Sequence, residues 1–156
     1  MANGTFYLLD SLPPEQWLTF YCERVAEAWR QHRSVRVWCE DKQQALALDE
    51  KLWQHPADAF VPHNLLGEGP PGGAPVEICW ASADAIKPRR VAAHLVLSTE
   101  VPNQLQGARH IIDRVPVTEA DKQTARERYK AYRQMGFQLT TTPASLQANA
   151  NQPQAD

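Results

Sequence analysis

Cysteine is scarce in this sequence. Cys22, Cys39 and Cys79 are odd in number and widely spaced, which argues against a disulfide framework and a thiolate metal site and for buried thiols in a reducing compartment. An overall surplus of cations is also missing. The formal charge of −2 and a pI near 6.2 exclude the chain from the basic proteins that bind nucleic-acid backbone strongly and without specificity. No apolar run approaches the length of a membrane span. The opening Met1-Ala2-Asn3-Gly4 has neither the basic start nor the long apolar core of a signal peptide, so a soluble, cytoplasmic chain is expected.

Catalytic and ligand motifs are absent too. The histidines at 32, 55, 63, 94 and 110 make no HxH, HExxH or Cys/His pair at ligand spacing, so no metal is expected. There is no GxSxG, and no cysteine lies in a basic or glycine-rich setting. Gly67-Glu68-Gly69 and Gly72-Gly73 look superficially like a phosphate loop. Prolines interrupt them, no GK[ST] follows, and the next element is strand-like, so a turn-rich connector is the better reading. Acids at strand ends (Asp10, Glu40, Asp41, Glu77) suit α/β catalysis by position, but strand ends and helix caps collect acids anyway. No cofactor is expected.

What is present is one core's worth of apolar residues, 43% of 156, in alternating strand and helix patterns. Phe6–Leu9 is a candidate first strand. Pro14 suits the first turn of a helix, whose apolar face is Trp17, Leu18, Tyr21, Cys22, Val25, Ala28 and Trp29. Arg33 lies near that helix's C-terminus, where the dipole favours cations. Val35–Cys39 is a second strand. Asp41 is a candidate N-cap for a helix through Leu46, Leu48, Leu52 and Trp53. This strand–helix–strand–helix order predicts a βαβ unit.

Residues 58–78 carry four glycines and four prolines, which predicts an exposed, ordered loop with no regular structure until Val76–Trp80. Further strands are expected within Val91–Leu97 and over Ile111–Val115. Thr118, with Asp121 three residues on, opens a last helix to about Met135, and Gly136 ends it. From Thr140 to Asp156 the composition turns to Gln, Asn, Thr, Ala and Pro, which predicts a disordered tail. The fold class is therefore α/β: one three-layer α/β/α domain over residues 1–139, with a mostly parallel, mixed central sheet.

Two stretches suggest binding. Trp53 and Phe60 flank His55-Pro56 and read equally as core or as exposed partner anchors. Residues 122–133 carry Lys122, Arg126, Arg128, Lys130 and Arg133 against Glu127 alone, a net +4 in a chain that is otherwise acidic. Helical spacing puts Lys122, Arg126, Tyr129 and Arg133 on one stripe. A solvated basic face is the plain interpretation. Cations around an aromatic ring also suit an acidic peptide or a carboxylate beside an apolar side chain.

Three motifs add a resemblance. Thr5–Asp10, then Leu48–Trp53 with Phe60-Val61-Pro62-His63-Asn64-Leu65, Gly67-Glu68-Gly69-Pro70 and Gly72–Ile78, then Ala125–Arg133 resemble the chi-subunit family of bacterial DNA polymerase III. The resemblance covers roughly residues 1–140 and is poor over 81–112. It implies the same α/β fold and a non-catalytic adaptor of the clamp-loader complex. It implies a psi-subunit contact at Trp53, Pro56, Phe60, Val61 and Pro62, with a helicase as a further user of that surface. It also implies a site for the acidic C-terminal tail of single-stranded-DNA-binding protein at Lys122, Arg126, Tyr129 and Arg133, walled by Val115 and Pro116. The competing reading is a nucleotide-dependent enzyme on a doubly wound α/β scaffold; turnover, or stabilisation by nucleotide with metal, would mark it.

Overall fold

The computed structural model describes residues 2–54, 61–66, 75–80, 90–102, 104–105 and 107–146. Seven strands form one sheet: β1 (Asn3–Leu8), β2 (Val35–Cys39), β3 (His63–Leu65), β4 (Val76–Trp80), β5 (Ala93–Val96), β6 (His110–Val115) and β7 (Gln138–Pro143). The helices are α1 (Trp17–His32), α2 (Lys42–Gln54) and α3 (Glu119–Gln134), with short 3-10 turns at Leu9–Ser11 and Pro14–Gln16. The strand order is β3-β4-β2-β5-β6-β1-β7, and every described pairing is parallel rather than mixed. β1 and β2 share the sheet but are not neighbours: β5 and β6 lie between them. Sequence pattern marks where strands are, but their order depends on which faces fit together.

The order follows burial. β2 and β5 are buried at every residue, as parallel strands covered on both faces must be. The polar β7 and the three-residue β3 take the edges, where short or polar strands discourage further pairing.

Alternation along the strands divides the interior into two layers. Val35, Val37, Ile78, Leu95 and Ile112 face α1 and α2, whose Phe20, Cys22, Val25, Ala45, Leu48 and Leu52 complete a large apolar core. Phe6, Trp38, Cys79, Val96 and Ile111 point the other way, and Tyr132 of α3 packs on them.

The predicted caps form. Asp41 Oδ1 accepts the Gln44 N–H at 2.8 Å, and Thr118 Oγ1 accepts that of Asp121 at 3.2 Å. After α3, Gly136 takes φ +100° and the Phe137 N–H reaches back to the Tyr132 carbonyl, as in a Schellman ending.

Several expectations are corrected. The chain from Thr140 continues as strand: β7 runs beside β1 to Pro143, Ala144 is buried, and Ser11 Oγ donates to its carbonyl at 2.7 Å. Polar composition hid this strand, since an edge strand needs only one good neighbour. Residues 147–156 lie outside the described residues. The Pro/Gly-rich stretch is interrupted by β3, whose His63 and Leu65 are buried. In α2 the inward residues are Ala45, Leu48 and Leu52, while Leu46 is exposed.

Candidate functional site

Parallel pairing brings β6, β1 and β7 side by side, and α3 crosses above them. A cavity of about 280 Å3 opens between helix and sheet, lined by Val115, Lys122, Ala125, Arg126, Tyr129 and Lys130, with Phe6 and Thr141 from the strands. Its floor is aromatic: the Tyr129 and Phe6 rings are 5.2 Å apart, tilted by 56°. Its helical rim is cationic. Among the described residues Lys122 has only a long contact, to Glu119 at 3.8 Å, and Arg126 is exposed, donating to Gln123 Oε1 at 3.2 Å. Both side chains retain donors for an incoming anion. An apolar floor beside two cations can hold a group that is greasy at one end and carboxylate at the other.

The helix that carries this rim is anchored from beneath by ions. Asp113 of β6 is buried. Its Oδ2 accepts from Arg128 Nε and from Tyr132 Oη, each at 2.9 Å. Its Oδ1 accepts from Arg128 Nη2 at 3.2 Å and Arg114 Nη1 at 3.0 Å. Arg114 also donates to the carbonyls of Val96, Leu97 and Ser98. Burial, followed by the Asp113 charge, pushes the Tyr132 phenol well above its usual range. Arg128 is thus an internal strut rather than part of the exposed basic face.

Of the sequence-predicted pocket residues, Lys122, Arg126, Tyr129 and Val115 line the cavity. Pro116 and Arg133 do not; Arg133 lies exposed in the last turn of α3. Spacing of seven keeps Arg133 on the stripe but carries it two turns along. Lys130, one turn from Arg126, takes that place. Phe6 and Thr141 were missed because their strands join the site only through the sheet.

The second predicted surface is divided. Trp53, in the last turn of α2, is 62% exposed, its ring 4.7 Å from that of His63. His63 is buried, with Nδ1 2.7 Å from the Val61 carbonyl and Nε2 3.3 Å from Asp49, so it orders this corner. Val61, expected at the surface, is a core residue at 1% exposure; the apolar run enters the α2 layer instead. Pro62 is half-buried. Pro56 and Phe60 lie outside the described residues.

The three cysteines are free and buried, and burial pushes the Cys22 and Cys39 thiols up to about 12. Among the described residues no group of three His, Cys, Asp or Glu could hold a metal ion, and no helix is long and apolar enough to cross a membrane.

Residues 1–140 match the family described as DNA polymerase III chi subunit, HolC. The DNA polymerase III subunit chi of Escherichia coli is 46% identical over 145 residues, 90% of this chain and 97% of that protein. That of Haemophilus influenzae is 40% identical over 120 residues, 77% of this chain and 82% of that protein. That of Pseudomonas aeruginosa is 30% identical over 139 residues, 89% and 94% of the two chains. Among solved structures, T4 UvsW aligns with a TM-score of 0.56 at 7% identity, over 92% of this chain and 41% of that one. That likeness carries the fold alone.

Proposed function

The chain belongs to the DNA polymerase III chi-subunit family, and from that premise we propose that it is a non-catalytic adaptor of the clamp-loader complex in the cytoplasm. It joins the psi subunit at the Trp53 corner, with Pro56, Phe60 and Pro62, and the acidic C-terminal tail of single-stranded-DNA-binding protein at the α3 cavity. Two modest contacts carried on one rigid domain raise the local concentration of each partner for the other. The Trp53 corner is also where a helicase partner would compete with psi.

The observation that carries this reading is the α3 cavity, where Lys122 and Arg126 stand over the Tyr129–Phe6 floor. A peptide ending in an apolar residue places its ring on that floor and its carboxylate between the two cations. Charge-assisted hydrogen bonds of this kind contribute ~1.5–3 kcal/mol each.

Titration of a labelled acidic peptide ending in Pro-Phe tests it. Arg126→Ala is expected to weaken binding ten- to a hundredfold, on the order of the lost bonds, and added salt to weaken the wild type. Equal affinities for the two proteins would remove the cavity from the reading. For the psi contact, Trp53→Ala is expected to weaken binding by ~2 kcal/mol. Its thermal stability should stay unchanged, because the ring is already mostly in solvent. Comparable losses of binding and stability would make Trp53 a structural residue.

A further inference from the structure

Because every described pairing is parallel, all strand starts share one edge of the sheet. α1 runs back against the strands, so its C-terminal end reaches the same edge. Four exposed arginines come together there from distant parts of the chain: Arg30 and Arg33 at the end of α1, Arg90 before β5 and Arg109 before β6. His32 stacks on His110, ring centroids 5.5 Å apart and 14° between planes, which ties the end of α1 to the start of β6. Burial, followed by the Arg109 charge, lowers the His32 pKa. Arg90 lies across Gly107, its side-chain atoms 3.2 Å from where a Cβ would stand.

None of the four arginines has an ion-pair partner among the described residues. Glu27, the acid that acts on His110, is held by Arg24 at 3.0 Å. The helix dipole accounts for Arg30 and His32, which end α1. It does not account for Arg90 and Arg109, which follow no helix among the described residues. Arg33 occupies a left-handed position, φ 68°, where glycine is the usual residue. Its guanidinium lies over the Trp29 ring at 5.1 Å, an exposed flat cation on which a base can stack.

We propose that this edge, carrying Arg30, Arg33, Arg90 and Arg109 around the His32–His110 stack, is a contact surface for the backbone of single-stranded DNA. The inference rests on family membership and not on the α3 cavity, which lies on the opposite face of the sheet from α1. The source of the anion is argued from the family's place in a DNA polymerase, and from the pairing of separated point charges with a stacked guanidinium plane. With an overall charge of −2, the attraction comes from this local cluster of cations and not from the chain as a whole. It is therefore weak and salt-sensitive by itself, and matters when the partners hold the chain beside DNA.

The test is a backbone and imidazole NMR titration of the full chain with an oligothymidylate of about fifteen nucleotides, at about 20 mM and about 200 mM salt. Expected are shifts at residues 30–33, 90 and 107–110, at least a tenfold loss of affinity at the higher salt, and higher pKa values for His32 and His110 in the bound form. Arg90→Glu with Arg109→Glu is expected to reduce binding at least tenfold, and Arg126→Ala to leave it unchanged. Arg33→Gly suits its backbone and keeps the fold, so it serves if the double variant is unstable; it too should lose affinity. No binding at the lower salt, shifts centred on Lys122 and Arg126, or equal competition by polyglutamate would each overturn the proposal.

Discussion

The two faces of the sheet are built differently. Under α1 and α2 the interior is almost entirely apolar, and Arg24 is accommodated by lying over the Tyr7 and Phe20 rings. On the opposite face the apolar cluster is small and polar groups are wired through it. Asp113 holds Arg128, Arg114 and Tyr132. Arg36 of β2 meets Glu77 of β4 at 2.8 Å. Trp38 Nε1 donates to His94 Nδ1 at 3.0 Å. Apolar packing is non-directional and tolerates small shifts, whereas fixed hydrogen-bond geometry sets one position for a helix. The helix seated by the polar network is the one that carries the cationic cavity.

The strongest way to separate the faces is to cut the network. Arg128→Ala leaves Asp113 buried without its bidentate partner, and a loss of about 3–5 kcal/mol is expected in chemical denaturation. A loss below 1 kcal/mol would show that Asp113 is satisfied without it. On the apolar face, Leu48→Ala is expected to cost about 3 kcal/mol, since Leu48 is fully buried. That loss should be the same at pH 7 and pH 5, because nothing ionisable is touched; a pH-dependent loss would contradict the contrast.

Acid sharpens the same contrast. His94 accepts from Trp38 through Nδ1 and places Nε2 3.1 Å from the Val91 carbonyl, an arrangement suited to the neutral ring. Burial holds its pKa down to about 4 from 6.5, and the Arg36 charge adds to this. The unfolded chain therefore binds a proton before the folded one does. Stability from this group is complete above pH 6.5 and is lost as pH falls toward 4, by up to about 3 kcal/mol. Denaturation curves across that window should show the loss, and His94→Gln should flatten this part of the pH dependence. An unchanged slope would mean that other groups carry it.

Much of the fold was legible because its signals are local. Val35–Cys39 and Val76–Trp80 are strands at the predicted boundaries, since a short β-branched run between turn residues has few alternatives. Thr118, Asp41 and Gly136 mark helix ends through bonds or φ values that span only a few residues. Lys122, Arg126 and Tyr129 were found together because helical spacing is regular. The rest depended on chain segments far apart. β7 is polar and becomes a strand only because β1 offers it an edge. Val61 is buried only because the α2 layer receives it.

Sequence by itself determined the α/β class, the helix ends, the basic stripe of α3 and the family, because each depends on residue type at short spacing. Tertiary structure alone decided the order of the strands and which cations are internal. Arg128 and Arg126 are two residues apart in one basic run. The first is buried on Asp113 and the second is open at the rim of the cavity, because a helix turns by about 100° per residue and only the position of β6 fixes which side is inside.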